Sequence, residues 1–345
     1  MDKGNTTFSL GNSSTTGTNA NTSHYPVAIT PWDVTIACCI SVSFLVGITM
    51  NGLLLWVLGV KMKRTVNTLW FSHLIITYLM STSFMPFLVP HILLDSHWIF
   101  GTVMCKILNF LGSLGMFTSV FLLTIISLDR YLLICYPIWS QHNRTLSQAK
   151  KLIGGVWLVS LTLSAPNLSF RETREMEKGK TACVNNYALS SDWDGATTQA
   201  LRYRIHLALF VVRFLLAFLL PFITIVGCCS WMGREMKKKK LVRNRKPFRV
   251  LVAAVASFFV CWSPYHLYNA SLLLGASRVT VKTLRGIFVM GICLNICFTP
   301  VLYLFVGEKF QKIFKISILL LLQKSFMDDP MMYISHAHHA GPQLE

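Results

Sequence analysis

Arg213 lies inside a long apolar stretch, residues 207–229, where a charged side chain needs a physical explanation. The guanidinium group stays protonated in proteins, and at the centre of a bilayer it costs about 2.5 kcal/mol or more. Such a group is expected to face a protein cavity and to meet a negative charge. Since the neighbouring apolar segments offer no Asp or Glu, we expect a ligand with an anionic end. The alternative is an arginine that reaches the outer interface, because polar residues lie about two turns away.

Other candidate ligand contacts are histidines and an aromatic residue within the apolar stretches. His91 and His266 lie in two of them, where an imidazole lines a cavity or satisfies a local hydrogen bond. Phe117 is the aromatic candidate, although its spacing is also that of a core residue. The histidines at 336, 338 and 339 stand in a terminal segment that makes a poor metal site. No metal or cofactor is predicted.

The elements that position these residues are predicted from charge and hydropathy. Only 13% of the 345 residues are charged and the mean hydropathy is +0.52, which excludes an ordinary soluble domain. Between short charged clusters lie seven apolar runs, each long enough to cross a hydrocarbon core of roughly 30 Å. The sequence therefore predicts an all-α membrane protein, a seven-transmembrane helix bundle. The predicted spans are 35–60, 69–94, 107–128, 152–170, 205–232, 250–274 and 286–306.

The distribution of basic residues predicts how the bundle is oriented. Of the 32 Lys and Arg residues, twenty fall on one side of the bundle and eleven on the other, with Arg213 inside a span. Basic loops stay in the cytoplasm, so we expect a multi-pass plasma-membrane protein with its N-terminus outside. The densest basic run, residues 237–249, is typical of a topology signal beside anionic lipid and not of a nucleic-acid site.

Three regions are predicted along the chain. Residues 1–34 are rich in Ser, Thr and Asn, lack a cleavable signal pattern, and form a disordered extracellular segment with glycosylation sequons at Asn5, Asn12 and Asn21. Asn167 is a marginal further acceptor at the outer end of the fourth span. Residues 35–306 form the membrane domain. Residues 307–345 form an amphipathic membrane-surface helix and a cytoplasmic tail, because basic and apolar residues are interleaved after Gly307.

The predicted topology also sorts the ten cysteines. Seven lie inside spans and Cys135 lies on the reducing side, which leaves Cys105 and Cys183 on the outer side. We therefore predict one disulfide, between Cys105 and Cys183. Residues 170–174 and 181–189 surround a short turn, which predicts a hairpin of two strands in the second outer loop.

The motifs favour a receptor over the other proteins built on seven helices. No hydrolase, metalloprotease or nucleotide-binding motif occurs, and no buried carboxylate is suited to proton relay, so an enzyme or an ion-coupled transporter is not expected. Further motifs occur in order along the seven spans: Asn51-Gly52, Trp98-Ile-Phe-Gly, Asp129-Arg130-Tyr131, Trp157, Pro221, Phe258-Phe-Val-Cys-Trp262-Ser-Pro264 and Pro300-Val-Leu-Tyr303. In these motifs the chain resembles the rhodopsin-like G-protein-coupled receptors over nearly its whole length.

This resemblance implies roles for named residues. Asp129, Arg130, Tyr131, Pro300 and Tyr303 would carry activation and G-protein coupling, with Arg130 held by Asp129 in the inactive state. Trp262 would be the rotamer-sensitive residue beneath the ligand. Residues 136–145 and 170–173 are similar to the chemoattractant branch, in which the position of Arg213 carries a cation that binds a ligand carboxylate. The ligand implied is an extracellular peptide or a lipid acid, and the inner partner is a heterotrimeric G protein of the inhibitory class.

Three positions depart from the family pattern. Tyr78 replaces the aspartate of a sodium site, Thr299 replaces the asparagine before Pro300, and Cys229 replaces a tyrosine. Either these substitutions are tolerated drift, with Tyr78 satisfied by hydrogen bonding, or the sodium-stabilised inactive state is missing and the balance between inactive and active states is altered. They leave open a second function, a decoy receptor that binds and internalises its ligand without signalling, whereas the intact Asp129-Arg130-Tyr131 motif favours signalling.

Overall fold

A computed structural model of the chain describes residues 29–176, 179–240 and 245–304, with 315, 316 and 319. The three predicted glycosylation sites, Asn5, Asn12 and Asn21, lie outside the described residues, as does nearly all of the predicted surface helix after Gly307. Pro300 and Tyr303 lie in the last described turns of the seventh helix.

Within the described residues the structure is a bundle of seven helices long and apolar enough to cross a membrane, which confirms the predicted fold. Each observed helix matches one predicted span, and most extend beyond it by several residues. The helices are Pro31–Lys61, Val66–Leu93, Gly101–Cys135, Leu146–Phe170, Ala196–Lys238, Arg245–Leu273 and Arg278–Leu304. A short helix, Pro137–Asn143, connects the third and fourth of them.

Capping residues explain where two helices begin. Thr30 accepts a hydrogen bond from the backbone N–H of Asp33, and the Asp33 carboxylate accepts one from Thr30 in return. This capping box starts the first helix at Pro31, four residues before the first predicted apolar position. Thr145 caps the fourth helix by accepting a hydrogen bond from the backbone N–H of Gln148, without the return bond of a capping box. Hydropathy alone places both starts too late, because the first turns contain polar residues.

The fifth helix widens to a π-helical segment at Leu215–Leu219, directly after Arg213. Pro221 follows within two residues, and its ring nitrogen has no proton to donate to the carbonyl of Ala217. A missing donor of this kind is a common cause of local irregularity in a helix. The widened turn changes the rotation of the helix next to Arg213, which the hydropathy pattern does not predict.

The core lies around the third helix, whose residues Phe117, Val120 and Leu122 are fully buried. The sixth and seventh helices approach closely at Gly291, where a Cβ atom would overlap the backbone carbonyl of Cys261. Because a larger side chain would force these helices apart, Gly291 fixes their spacing. This packing holds Trp262, one residue beyond Cys261, against the seventh helix.

A β hairpin covers one end of the bundle, as predicted. Strand β1, Arg171–Glu175, pairs antiparallel with strand β2, Thr181–Asn185, and Thr173 is opposite Cys183. The Cys105–Cys183 disulfide is confirmed, with Cα atoms 5.8 Å apart. We call this end of the bundle the hairpin end, and the opposite end, which carries Lys237–Lys240, the basic end.

Candidate ligand site at the hairpin end

Arg213 reaches the last turn of the fourth helix at the hairpin end. Its Nη2 atom donates a hydrogen bond to Oδ1 of Asn167 at 3.3 Å. The Asn167 amide nitrogen donates to the backbone carbonyl of Ser164 at 3.1 Å, so the amide oxygen is the atom presented to the guanidinium. Asn167 is only 5% exposed, so it is not accessible as a glycan acceptor. The protein partner of Arg213 is therefore a neutral amide and not an acid.

A second arginine, Arg171, lies close to Arg213 and was not singled out by the sequence analysis. It is the first residue of β1, and its Nε atom is buried without a hydrogen-bond partner. Burial lowers the pKa of Arg171 below its usual value, and the positive charge of Arg213 lowers it further. The two arginines are 42 positions apart in the sequence, so only the folded hairpin brings them together.

The acidic residues at this end have other partners. Among the described residues, neither Arg171 nor Arg213 forms an ion pair, and Arg285 of the seventh helix donates to the hydroxyl of Ser96 instead. The carboxylates of three acids at this end are held by other side chains: Asp33 by Lys282, Asp95 by Lys180 and Glu172 by Asn186. The cluster of arginines therefore keeps an uncompensated positive charge.

Aromatic residues surround this charge. Tyr187, which follows β2, is 6% exposed, stacks on His206 with ring centroids 5.0 Å apart and meets Phe170 edge-on. Burial raises the pKa of Tyr187, while Arg213 and Arg171 act in the opposite direction. Tyr187 thus stays a neutral phenol beside two cations, and its ring forms part of the wall around them.

Two predicted contact residues of the sixth helix lie in the aromatic cluster next to Arg213. His266 is 6% exposed and packs on Phe214 and Phe218 of the fifth helix, with centroids 5.5 and 4.9 Å away. Its Nδ1 atom is buried without a hydrogen-bond partner. Trp262, one turn earlier, meets Tyr265 at 5.9 Å. A ligand that reached this depth would meet an aromatic floor with one free imidazole nitrogen.

The other two predicted contacts lie elsewhere. His91, near the end of the second helix, meets Trp98 edge-on at 5.5 Å, and its Nδ1 is buried without a hydrogen-bond partner. Phe117 has no exposed surface and stacks on Phe121 with centroids 5.9 Å apart. In this arrangement Phe117 packs in the core and presents no surface to a ligand. This agrees with the alternative from the sequence, in which its spacing is that of a core residue.

At the basic end, Asp129 is paired with Arg144 and not with its neighbour Arg130. Nε and Nη2 of Arg144 donate to the two carboxylate oxygens of Asp129 at 2.7 and 3.0 Å. Nη2 also donates to Oδ1 of Asn67 in the second helix. No ion pair between Asp129 and Arg130 occurs among the described residues. The role that the family resemblance implies for this pair in the inactive state stays a prediction.

The structure also locates Tyr131 of the predicted activation motif and Tyr78, one of the three positions that depart from the family pattern. Tyr131 meets Tyr136 edge-on at 5.9 Å. Tyr78 is 5% exposed within the core, so a phenol occupies the volume in which the resemblance implies a carboxylate. The indole Nε1 of Trp157 donates to Nδ1 of His73 at 3.3 Å, which gives that half-buried imidazole a local partner.

The fold and these motifs define a class of protein, and comparison with known sequences agrees. The chain belongs to the rhodopsin family of seven-transmembrane receptors, whose family model, 7 transmembrane receptor (rhodopsin family), matches residues 50–303. Its members are receptors and not enzymes as a class.

Individual relatives cover most of the chain. It is 46% identical over 329 residues to the Probable G-protein coupled receptor 33 of Homo sapiens, which is 95% of this chain and 98% of that protein. It is 36% identical over 320 residues to the Chemerin-like receptor 1 of Mus musculus, covering 89% of this chain and 86% of that protein. It is also 36% identical over 301 residues to the C3a anaphylatoxin chemotactic receptor of Oncorhynchus mykiss, covering 86% and 80%.

Proposed function

We propose that this protein is a chemoattractant-type receptor whose ligand presents an anionic group to Arg171 and Arg213. The observation that carries the proposal is the pair of neighbouring arginines without an acidic partner among the described residues. An anionic group on the ligand would offset their repulsion and satisfy the free Nε of Arg171. Charge-assisted hydrogen bonds to a carboxylate are about twice as strong as neutral ones.

The relatives support the proposed class of ligand. The names Chemerin-like receptor 1 and C3a anaphylatoxin chemotactic receptor favour a peptide, and a lipid acid is the second anionic candidate. We place the hairpin end outside the plasma membrane, together with the N-terminus, because the opposite end carries most of the basic residues. At that inner end, Asp129, Arg130 and Tyr131 would couple to an inhibitory-class G protein.

The test compares ligands that differ only in the anionic group. Cells expressing the receptor are treated with chemerin-derived and C3a-derived peptides as free acids and as C-terminal amides, and with lipid acids and their methyl esters. G-protein dissociation is the readout. Any active acid should lose at least thirtyfold in potency on amidation or esterification, since truncating one partner of a desolvated charge pair costs about 2–5 kcal/mol.

The variants Arg171→Ala and Arg213→Ala should lower the potency of the acid form of the ligand by a similar factor. The potency of the neutral form should stay unchanged. Arg204→Ala is the matched control, because Arg204 is exposed on the same helix as Arg213. Surface expression should be normal for all three. Equal potency of acid and neutral forms, or equal loss in the Arg204 variant, would show that the arginines are structural.

The second candidate function is the decoy receptor, which the buried Tyr78 and the substitutions Thr299 and Cys229 favour. The sequence motif Asp129-Arg130-Tyr131 favours signalling, and G-protein activation without added ligand distinguishes the two. Activation above that of untransfected cells supports signalling. Ligand uptake without any G-protein or second-messenger response would identify a decoy.

A further inference from the structure

The loop between the second and third helices, residues 94–100, is joined to the first residue of strand β2 by two hydrogen bonds. The backbone N–H of Trp98 donates to the backbone carbonyl of Thr181 at 2.7 Å. The backbone N–H of Thr181 donates in return to Nδ1 of His97 at 3.0 Å. The loop therefore holds Thr181 through both of its backbone groups, and one of the two bonds depends on an imidazole.

The bond from Thr181 can form with only one charge state of the His97 ring. A backbone N–H only donates, so Nδ1 of His97 must accept, and the neutral ring must carry its proton on Nε2. Uptake of a proton from solvent would place an N–H group at Nδ1, where it would point at the N–H of Thr181. Two donors cannot bond to each other, so protonation breaks this contact. His97 is half-buried, which leaves the ring within reach of water.

The other links between the loop and the start of β2 are too weak to replace this bond. Lys180 and Asp95 form an ion pair at 2.9 Å, but their side chains are 38% and 54% exposed. Exposed ion pairs contribute little to stability. Once His97 is protonated, the bond from Trp98 to Thr181 is the one remaining backbone link at this contact. The contact is therefore expected to open when the imidazole takes up a proton.

Backbone strain in the loop also favours the open arrangement. Asp95 and Ser96 have positive φ angles of 49° and 68°, which L residues rarely adopt. Ser96 is held there by a hydrogen bond from its N–H to the carbonyl of His91 at 2.9 Å and by one from Nη1 of Arg285 to its hydroxyl at 2.7 Å. A strained backbone persists only where surrounding contacts impose it. The bond from Thr181 to the next residue is one of these contacts, and protonation removes it.

Charged and titratable groups lie near His97 on each element packed against the loop. They are Asp95 on the loop itself, Lys180 and Glu175 on the hairpin, His91 on the second helix and Arg285 on the seventh helix. Carboxylates and amines ordinarily keep their charge between about pH 5.5 and 7.5, whereas histidine changes its charge in this range. His91 is therefore the neighbour whose titration has to be separated from that of His97.

We propose that His97 is a proton-binding site at the hairpin end, and that proton uptake releases the start of β2 from the loop. The open arrangement binds one more proton than the closed one, so a fall in pH favours opening. In the orientation proposed above, the site faces the extracellular fluid, and extracellular acid would be a second signal to the receptor. Because the same hairpin carries Arg171, this signal would act on an element of the ligand site, a link that rests on the proposed function.

The test is amide hydrogen exchange of the full-length receptor in phosphatidylcholine nanodiscs at about pH 7.5 and about pH 5.5. Mass spectrometry with fragmentation to single residues gives the protection factor of the Thr181 amide, corrected for the intrinsic pH dependence of exchange. In wild type this factor should fall about three- to tenfold at the lower pH, as expected for the loss of one hydrogen bond. The amides of Phe117 and Val120 in the core should keep their protection, which excludes a general loosening of the bundle. Since no anionic ligand is added, the result does not depend on the proposed ligand.

Variants identify the histidine responsible. His97→Asn places an amide oxygen near the position of Nδ1; this oxygen accepts a hydrogen bond but takes up no proton, so Thr181 should be protected equally at both pH values. His97→Ala should give low protection at both. His91→Asn, the control at the neighbouring histidine, should keep the wild-type pH response. A wild-type change below about twofold, a pH response that persists in His97→Asn, or one that disappears in His91→Asn would overturn the proposal.

Discussion

Replacing Arg144 with glutamine should lower the ligand-independent activity of the receptor. Arg144 holds both carboxylate oxygens of Asp129, which therefore does not pair with Arg130. The family resemblance implies that a pair between Asp129 and Arg130 stabilises the inactive state. When Arg144 is removed, the carboxylate of Asp129 is free to turn to Arg130, its neighbour in the sequence. The equilibrium should then move toward the inactive state.

The size of the effect follows from the geometry of the pair. The two hydrogen bonds are 2.7 and 3.0 Å long, and the side chains of Arg144 and Asp129 are only 22% and 10% exposed. Solvent screening is therefore weak, and hydrogen bonds to charged groups of this kind contribute about 1.5–3 kcal/mol. Since about 1.4 kcal/mol corresponds to a factor of ten, the balance between states should shift by about tenfold or more.

The assay is G-protein dissociation without ligand, normalised to the amount of receptor at the cell surface. Four receptors are compared: wild type, Arg144→Gln, Asp129→Asn and the double variant. Arg144→Gln should lower basal activity to about a tenth of wild type. Asp129→Asn should raise it, because Arg130 then has no carboxylate to bind. In the Asp129→Asn background the Arg144 substitution should have no further effect, since its partner is already missing.

Lys150→Gln serves as the control, because it removes an exposed cation six residues further along the same segment. It should leave basal activity unchanged. The reasoning is refuted if Arg144→Gln raises basal activity, or if its effect is as large in the Asp129→Asn background as in wild type. The first result would mean that Arg144 restrains the receptor, and the second that it acts without Asp129.

Three further predictions follow from other parts of the molecule. Because Tyr78 replaces a carboxylate in the core, the thermal unfolding temperature should be the same in sodium chloride and in the chloride of a bulky organic cation at equal ionic strength; a stabilisation specific to sodium would contradict this. Cys183→Ser opens a cross-link spanning 78 residues and should destabilise the receptor by about 2–5 kcal/mol, seen as a lower unfolding temperature than in a Cys261→Ser control. Ser325 and Ser335 are the only Ser or Thr residues in 320–345, and each phosphate adds about −1.5 to −2 charge, so arrestin recruitment should be weak; strong recruitment that disappears in the double alanine variant would contradict this.

Features that depend on local composition could be predicted from the sequence. The seven spans follow from hydropathy and length, because a bilayer imposes both on any helix that crosses it. The pairing of Cys105 with Cys183 follows from topology, which leaves only these two cysteines on the oxidising side. Arg213 could also be identified from the sequence, because a charged residue in an apolar run is visible without knowledge of its spatial neighbours. Helix starts such as Pro31 were placed late, because capping depends on single polar residues outside the apolar run.

Features that depend on which helix faces meet were decided only by the tertiary structure. Arg171 joins Arg213 because the hairpin folds its first residue back over the bundle, and nothing in the local sequence of β1 marks it as a buried cation. Asp129 pairs with Arg144 because the rotation of the third helix turns this carboxylate toward the loop. A cavity of about 230 Å³, lined by Trp70 and Ser140 at the basic end, lies where three helices and a short connecting helix leave space between them. Hydropathy constrains each segment separately, whereas these contacts depend on the relative rotation and spacing of several segments, which are set by packing across the whole bundle.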